Sequence, residues 1–193
     1  PSRVQLGGTR QEVTILFADI RKFTAFSERR QAEMLFEVLN RHLTLVAEAI
    51  LDEEGTLDKF MGDAVMAIFN APLPQERHVL RAVRAAWKMK SALARLHTEL
   101  PADSRLSFGI GISTGPAVVG NVGSPMLQNY TAIGNTVNLA ARLQSHAGPG
   151  QILLGGEAYE RIQDQIHVQP LGQTYFKGRR EPTCVFELLE IIV

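Results

Sequence analysis

A lysine and an aspartate flank the tip of a predicted buried hairpin, Lys59 and Asp63. Residues 64–69 form an apolar run without alternation, which is typical of a strand buried on both faces. Gly62 favours a tight turn immediately before that strand. Charge in such a place is unfavourable unless it has a partner or a ligand. The two charged residues therefore mark a candidate functional site.

A two-residue turn at positions 61–62 would set the register of this hairpin. Phe60 would then face Asp63, and Lys59 would face Ala64. Neighbouring residues along a strand point to opposite faces of a sheet, so Lys59 and Asp63 are predicted to point to opposite faces. One chain would not bring both groups to one site, whereas two chains that each lend one group would do so.

Asp19 ends a second predicted buried strand, residues 13–18, and precedes a turn that leads into a helix. A role without chemistry is the alternative for this residue, because an aspartate at the end of a strand commonly caps the turn that follows. The backbone N–H groups after it, around Phe23 and Thr24, would be free to meet an anion.

Polar groups in the second half of the chain add two further candidates. Asn138 and Arg142 are four residues apart on a predicted helix, so they share one face and can reach one target. A polar pair on a helix surface is the alternative. Lys177 and Arg179 belong to a basic segment at a predicted hairpin tip, which is either solvated or able to hold phosphate.

The composition is that of an ordinary globular chain and excludes several classes of protein. Its 193 residues are enough for one domain with a substantial core. They are 45% hydrophobic and 21% charged, which is ordinary for a globular protein. Twenty basic residues balance twenty acidic ones, without a polybasic run that would indicate nucleic acid or an anionic membrane as partner. The single cysteine, Cys184, excludes a disulfide framework. No apolar stretch approaches the length of a membrane span, and the cytoplasm is the expected compartment.

The elements that must position these residues are a mixture of strands and helices. Residues 1–10 are predicted as a flexible lead-in and residues 11–193 as one domain. Helices are predicted at residues 31–51 and about 75–98, where apolar residues recur at helical spacing. The glycines of residues 106–115 alternate with apolar residues, which predicts a closely packed strand and not a dinucleotide-binding loop. This mixture predicts an α+β fold with helices packed on a mainly antiparallel sheet.

Three segments together resemble the catalytic domains of class III nucleotidyl cyclases, of the bacterial adenylyl type. They are FADIRKFT at residues 17–24, KFMGD at residues 59–63 and GNTVNLAAR at residues 134–142. The resemblance runs from about residue 13 to the C-terminus. It implies a ferredoxin-like domain that works as a head-to-tail homodimer with nucleotide at the interface. The implied enzyme is a phosphorus–oxygen lyase that converts ATP to cyclic AMP and pyrophosphate.

The same resemblance implies a role for most of the candidate residues. Asp19 and Asp63, with the carbonyl of Ile20, would hold two divalent cations, Mg²⁺ or Mn²⁺. From the other chain of the dimer, Asn138 would orient the ribose and Arg142 would stabilise charge at the α-phosphate.

Lys59 and Thr131 occupy the positions that resemble the base-selecting pair of the family. Lys59 would donate to adenine N1, and the Thr131 hydroxyl would accept from the adenine amino group. The commonest adenylyl pattern has Asp at the position of Thr131, and the Thr variant resembles a subgroup with bicarbonate-responsive members, so bicarbonate is a candidate activator. Lys177 would bind the triphosphate, with Arg179 as the alternative. Lys22 stands where many members have glycine.

Other functions are retained as alternatives to adenylyl cyclase activity. A silent cyclase-like module that only binds nucleotide or dimerises would be expected to have lost a metal aspartate, the asparagine or the arginine, and none is lost here. A guanylyl cyclase is opposed by Lys59. A diguanylate cyclase is opposed by the absence of its Gly-Gly-acidic-acidic-Phe signature.

Overall fold

The computed structural model describes residues 7–28, 30–124, 126–176 and 181–192. Over these residues the chain forms one eight-stranded sheet with five α-helices packed on it, so the predicted α+β fold is confirmed. The strands are β1 (Gly7–Ile20), β2 (Thr56–Met61), β3 (Ala64–Phe69), β4 (Phe108–Ser124), β5 (Leu127–Ile133), β6 (Ile152–Gly155), β7 (Ile166–Thr174) and β8 (Thr183–Ile191). The helices are α1 (Phe23–Ser27), α2 (Ala32–Asp52), α3 (His78–Glu99), α4 (Asn135–His146) and α5 (Gly156–Ile162). None of these helices is long and apolar enough to cross a membrane.

The strands lie in the order β2-β3-β1-β4-β6-β8-β7, and β5 pairs with β4 beside this path. Only β4 and β6 pair in parallel within the described part of the sheet. The block β4-β1-β3-β2 is the strand order of a ferredoxin-like domain, with α2 and α3 as its connecting helices.

Alternate residues of β1 supply the two apolar layers that cover the sheet. Leu16 and Ala18 face the layer that includes α2, α3 and α5, and their neighbours Ile15 and Phe17 face the layer that includes Ala140 of α4. A strand that is covered on both faces needs a continuous apolar run, as the sequence of residues 13–18 provides. β1 therefore lies at the centre of the molecule and fixes the position of Asp19 at its end.

β1 is longer than the sequence pattern indicates. It begins at Gly7, so residues 7–10 belong to the sheet, although the sequence predicted them as part of a flexible lead-in. They pair with residues 118–121 of β4. A Cβ atom on Gly120 would lie 2.0 Å from the Gly7 carbonyl oxygen, so this close pairing requires glycine. The segment lacks apolar alternation, and only its distant partner strand makes it a strand.

Glycines in β4 bring other elements directly against the sheet, as the sequence predicts. A Cβ atom on Gly111 would lie 2.2 Å from the backbone nitrogen of Gln144 and 2.3 Å from the carbonyl oxygen of Ala140, both in α4. A Cβ atom on Gly109 would lie 2.4 Å from Nε of Arg21. Both glycines therefore leave the space that α4 and Arg21 occupy beside the end of β1.

The register of the hairpin differs from the prediction by one residue. Met61 pairs with Ala64, so the two turn residues are Gly62 and Asp63, whereas the sequence analysis placed the turn at Met61 and Gly62. Gly62 has a φ of 67°, in the left-handed region that favours glycine. The sequence pattern of one glycine between two strands is compatible with both registers, and the structure has the one in which Gly62 is the first turn residue.

The observed register also removes the basis of the prediction about sheet faces. Lys59 faces Met66 and not Ala64. Asp63 lies in the turn, outside the alternation of the strands, so the prediction that Lys59 and Asp63 point to opposite faces is wrong in its premise. Where their side chains go is instead decided by their contacts.

Candidate active site

An acidic site, Asp19 and Asp63, forms where β1 ends beside the β2–β3 turn. Asp19 pairs with Ala64, the residue that follows Asp63. Burial raises the pKa of Asp63 above its ordinary value, and the negative charge of Asp19 raises it further. The two carboxylates are thus close enough to repel each other. Hard oxygen donors that repel one another suit a divalent cation, which would neutralise both.

One carboxylate oxygen of Asp19 is held by neighbouring side chains. Gln144 Nε2 donates to Asp19 Oδ2 at 3.1 Å, and Arg21 Nη2 lies 3.9 Å from the same oxygen. Arg21 Nη2 also donates to the backbone carbonyl of Gln144 at 2.8 Å. These contacts fix the orientation of the carboxylate beside Asp63. The sequence alone gives no signal for Gln144, because a contact between β1 and α4 has no local pattern.

The chain turns sharply after the acidic site. The Arg21 backbone N–H donates to the Ser107 carbonyl at 2.7 Å, and Lys22 has a φ of 60°, in the left-handed region. That conformation favours glycine, which explains why the resembling family often has glycine where this chain has Lys22. Phe23 and Thr24 then open α1.

The acidic site contains fewer protein ligands than a closed metal site would have. Within the described ranges, no group of three or more His, Cys, Asp or Glu side chains could hold a metal ion. Two carboxylates and the Ile20 carbonyl would leave positions for phosphate oxygens and water. Mg²⁺ typically binds in this way, through one or two carboxylates and substrate phosphates.

A second group, called the base site here, consists of Lys59, Thr131 and Asp58. Lys59 Nζ donates to Thr131 Oγ1 at 3.4 Å and lies 3.4 Å from Asp58 Oδ1. The Thr131 hydroxyl donates to Asp58 Oδ2. The Asp58 side chain is 0% exposed, and that of Lys59 is 40% exposed, so the ammonium group is accessible while the carboxylate lies beneath it. The structure thus brings together Lys59 and Thr131, which the sequence analysis paired only by resemblance.

Asp58 is a site residue that the sequence analysis missed. Strand alternation would send Asp58 and Lys59 to opposite faces, but the register of β2 against β3 shifts between Leu57 and Lys59. This irregularity is a β-bulge, which lets two successive residues contact the same threonine. The one available signal was an aspartate within a strand, a residue type that strands disfavour.

α4 carries residues for two different tasks. Gln144 is buried and contacts Asp19, whereas Asn138 is exposed and Arg142 is partly exposed. In the described part of the chain, the side chains of Asn138 and Arg142 make no hydrogen bond or ion pair. Gln144 is displaced by roughly 200° around the helix from Arg142. One side of α4 therefore contacts the acidic site of its own chain through Gln144, and another side carries Asn138 and Arg142, which are more exposed.

The remaining predicted phosphate ligands, Lys177 and Arg179, lie outside the residues that the structure describes. Lys177 stays the predicted triphosphate ligand, with Arg179 as the alternative.

Comparison with known proteins identifies a family match over nearly the whole chain. The family model described as "Adenylate and Guanylate cyclase catalytic domain" matches residues 8–188. Adenylate cyclase 1 of Rhizobium meliloti is 35% identical over 187 residues, which cover 95% of this chain and 28% of that protein. This chain therefore spans little more than a quarter of that relative.

Two solved structures are equally similar in fold and differ in their named activity. The adenylyl cyclase CyaB from P. aeruginosa and the guanylyl cyclase Cya2 each have a TM-score of 0.90 and 35% identity to this chain. Each comparison covers 96% of this chain, with 97% of CyaB and 95% of Cya2. Overall similarity consequently does not distinguish ATP from GTP, and that distinction depends on the residues that would contact the base.

Proposed function

We propose that this chain, which belongs to the family of adenylate and guanylate cyclase catalytic domains, converts ATP to 3′,5′-cyclic AMP and pyrophosphate. The observation that carries the choice of ATP is the contact between Lys59 and Thr131 in one chain. It places an ammonium donor beside a hydroxyl, so that the two side chains could contact neighbouring groups on one edge of a purine.

Adenine and guanine present opposite hydrogen-bonding groups on that edge. Adenine N1 accepts and its 6-amino group donates, whereas guanine N1 donates and its O6 accepts. Lys59 can only donate, so it complements adenine N1 and opposes guanine N1. Thr131 completes the recognition of adenine by accepting from the amino group.

The acidic site would bind two divalent cations through Asp19, Asp63 and the Ile20 carbonyl. These ions, when bound, would activate the 3′-hydroxyl and hold the triphosphate for in-line displacement. The support for this assignment is the closeness of the two carboxylates: burial raises the pKa of Asp63, and the negative charge of Asp19 raises it further. Gln144 and Arg21 would keep Asp19 oriented for its ligand.

The other groups of the site act on the sugar and the phosphates. Asn138 would orient the ribose so that its 3′-oxygen faces the α-phosphorus. The new O–P bond forms as the bond to pyrophosphate breaks, and the 3′-hydroxyl proton is released. Arg142 would stabilise the negative charge that grows on the α-phosphate, where a planar guanidinium group is well suited.

Each complete site would combine two chains of a head-to-tail homodimer. One chain would supply the acidic site, and its partner would supply the base site with Asn138 and Arg142. The placement of α4 supports this arrangement, because Asn138 and Arg142 point away from the side of the helix that contacts Asp19.

Two further interactions concern the triphosphate and an activator. Lys177, or Arg179 in its place, would bind the triphosphate together with the backbone around Phe23 and Thr24. Activation by bicarbonate stays a prediction from the family resemblance. A titration at fixed pH and ionic strength, with chloride as control, tests it, and no response beyond chloride would remove it.

Product analysis tests the proposed function directly. The purified chain should form cyclic AMP and pyrophosphate from ATP with Mg²⁺ or Mn²⁺, and should use GTP less efficiently. The double variant Lys59→Glu, Thr131→Cys should lose ATP use and gain GTP use relative to wild type, because it inverts the hydrogen-bonding edge. A wild-type chain that prefers GTP would refute the assignment, and so would unchanged ATP kinetics in the double variant.

A further inference from the structure

We infer that Asp58 controls base selection through Thr131. Its buried carboxylate accepts a hydrogen bond from the threonine hydroxyl, so the threonine oxygen can act only as an acceptor toward the base. This inference rests on the proposed function and assigns to it a specificity-determining residue that does not itself touch the base. Asp58 is a positioning residue in this account.

The starting observation is the direction of the hydrogen bond. A carboxylate accepts and a hydroxyl has a single proton, so in the contact between Thr131 Oγ1 and Asp58 Oδ2 the threonine donates. The Asp58 side chain is 0% exposed, and water therefore does not compete for its oxygens. The hydroxyl proton of Thr131 is therefore used in the hydrogen bond to Asp58 and is not available to a ligand.

The hydrogen bond to Asp58 determines which hydrogen bonds Thr131 can form with the base. A free threonine hydroxyl can accept from the amino group of adenine or donate to guanine O6. With its proton held by Asp58, Thr131 cannot donate to O6, and guanine would place an unpaired acceptor against an acceptor. Leaving buried polar groups unpaired is costly, which is how a hydrogen-bonding site rejects the wrong ligand.

Lys59 completes the arrangement. Its ammonium group has three protons, and its contacts at 3.4 Å are Thr131 Oγ1 and Asp58 Oδ1. Only the contact with Thr131 is a hydrogen bond, so Lys59 keeps protons that can be donated to adenine N1. Thr131 Oγ1 accepts from Lys59 with one lone pair and keeps the other for the adenine amino group. The Thr131 hydroxyl would then have its proton and both of its lone pairs in use when adenine is bound.

The β-bulge in β2 makes this arrangement possible. The bulge turns Asp58 and Lys59 toward the same residue of β5. Asp58 and Thr131 thereby supply together an acceptor backed by negative charge, the property of the carboxylate that commonly stands in the position of Thr131. Thr131 consequently favours adenine over guanine more strongly than a threonine with a free hydroxyl would.

The experiment measures the ratio of kcat/KM for ATP to kcat/KM for GTP in a double-mutant cycle. Asp58→Leu should lower the ratio about tenfold in the otherwise wild-type enzyme, since the Thr131 hydroxyl would then be able to donate a hydrogen bond to guanine O6. In the Thr131→Val background there is no hydroxyl to orient, so Asp58→Leu should change the ratio less than about twofold. Asp52→Leu, which replaces an exposed aspartate of α2, is the control and should leave the ratio unchanged.

The outcomes separate the inference from its foundation. A merely structural role for Asp58 would lower both kcat/KM values together and leave the ratio intact, which would overturn the inference. An equal fall in both Thr131 backgrounds would also overturn it, because Asp58 would then act through Lys59. If the wild-type chain makes no cyclic AMP or prefers GTP, the proposed function itself fails.

A second variant keeps the test decisive if Asp58→Leu does not fold. Asp58→Asn preserves shape, but its amide can donate to Thr131 as well as accept from it. The direction of the hydrogen bond is then no longer fixed, so the ratio should fall by about threefold, and only where Thr131 is present. An unchanged ratio in Asp58→Asn would contradict the inference.

Discussion

At the scale of single residues, the acidic site makes a prediction about metal. Asp63→Ala and Asp19→Ala should each abolish turnover, because each removes a ligand from the proposed two-ion site. Metal-free protein should not lose stability in Asp63→Ala, since the variant relieves the repulsion that raises the pKa of Asp63. Cyclic AMP formation and thermal unfolding, with and without Mn²⁺, measure both effects.

The thermal measurement has its own control and gives a readout besides activity. Wild type and Asp52→Ala should both show a higher unfolding temperature with Mn²⁺, and the two acidic-site variants should not. Near-normal turnover in either acidic-site variant, or an undiminished response to Mn²⁺, would contradict the assignment of these carboxylates as ligands.

Gln144 should tune the metal without binding it. Gln144→Leu removes the donor to Asp19 Oδ2, so the Mn²⁺ concentration for half-maximal activity should rise about tenfold or more. Ser145→Ala changes the exposed neighbour on α4, whose hydroxyl bonds only to the Ala141 carbonyl among the described residues, and should leave that concentration unchanged. Equal metal dependence in Gln144→Leu and Ser145→Ala would show that this contact does not position Asp19.

Single residues also show which candidates a local sequence pattern can indicate and which it cannot. Asp19, Lys59 and Asp63 stand out because charge at the end of a buried run is unusual. Asp58 and Gln144 do not stand out, because a bulge reverses the face of one and a contact between distant elements defines the role of the other. Pairwise side-chain contacts of this kind need three-dimensional coordinates.

At the scale of elements, α2 is tied to the loop before β4 by one buried histidine. His42 Nδ1 donates to the Val38 carbonyl at 2.7 Å, and the Leu106 backbone N–H donates to His42 Nε2 at 3.2 Å. Both contacts require the neutral ring with its proton on Nδ1. Burial lowers the pKa of His42, and the contact with the Val38 carbonyl opposes that shift.

The lowered pKa predicts a loss of stability in acid. Above about pH 6.5 both the folded and the unfolded forms hold a neutral His42, and it adds no pH dependence. Below that value the unfolded chain binds a proton that the folded chain excludes. The free energy of unfolding should then fall by about 1.4 kcal/mol per pH unit, until the folded pKa is reached.

A variant isolates this contribution from those of the half-buried histidines His78 and His97. Burial also lowers the pKa of His78 and His97, and both remain in His42→Gln. Urea unfolding at about pH 7.5 and about pH 5.5 should show a smaller acid loss in His42→Gln than in wild type. Parallel losses in the two proteins would mean that His42 takes no part in the acid response.

Elements were predicted well where periodicity is internal to the segment. The predicted helices at residues 31–51 and about 75–98 correspond to α2 and α3, because each buries one continuous stripe. The start of β1 and the hairpin register were not predicted well. Pairing with the distant strand β4 decides the first, and that partner is not visible in the local pattern. The second is the pairing of Met61 with Ala64, and a single glycine near the turn is compatible with more than one register.

At the scale of the whole molecule, one chain holds two separate parts of the proposed site. The acidic site lies at the end of β1, and the base site is formed by β2 with β5. α4 contacts the first with Gln144 and presents Asn138 and Arg142 on another side. The position of α4 and the family resemblance support a site shared by two chains, whereas the observed hairpin register does not.

Mixing two inactive variants tests this central claim most directly. Asp63→Ala and Arg142→Ala homodimers should both be nearly inactive, because every site lacks one group. In a mixed dimer one site carries both lesions and the other carries neither. With random exchange about half of the dimers are mixed, so activity should recover to roughly a quarter of wild type. If the mixture stays as inactive as its parents while light scattering and differential tagging show that mixed dimers form, sites shared between two chains are contradicted.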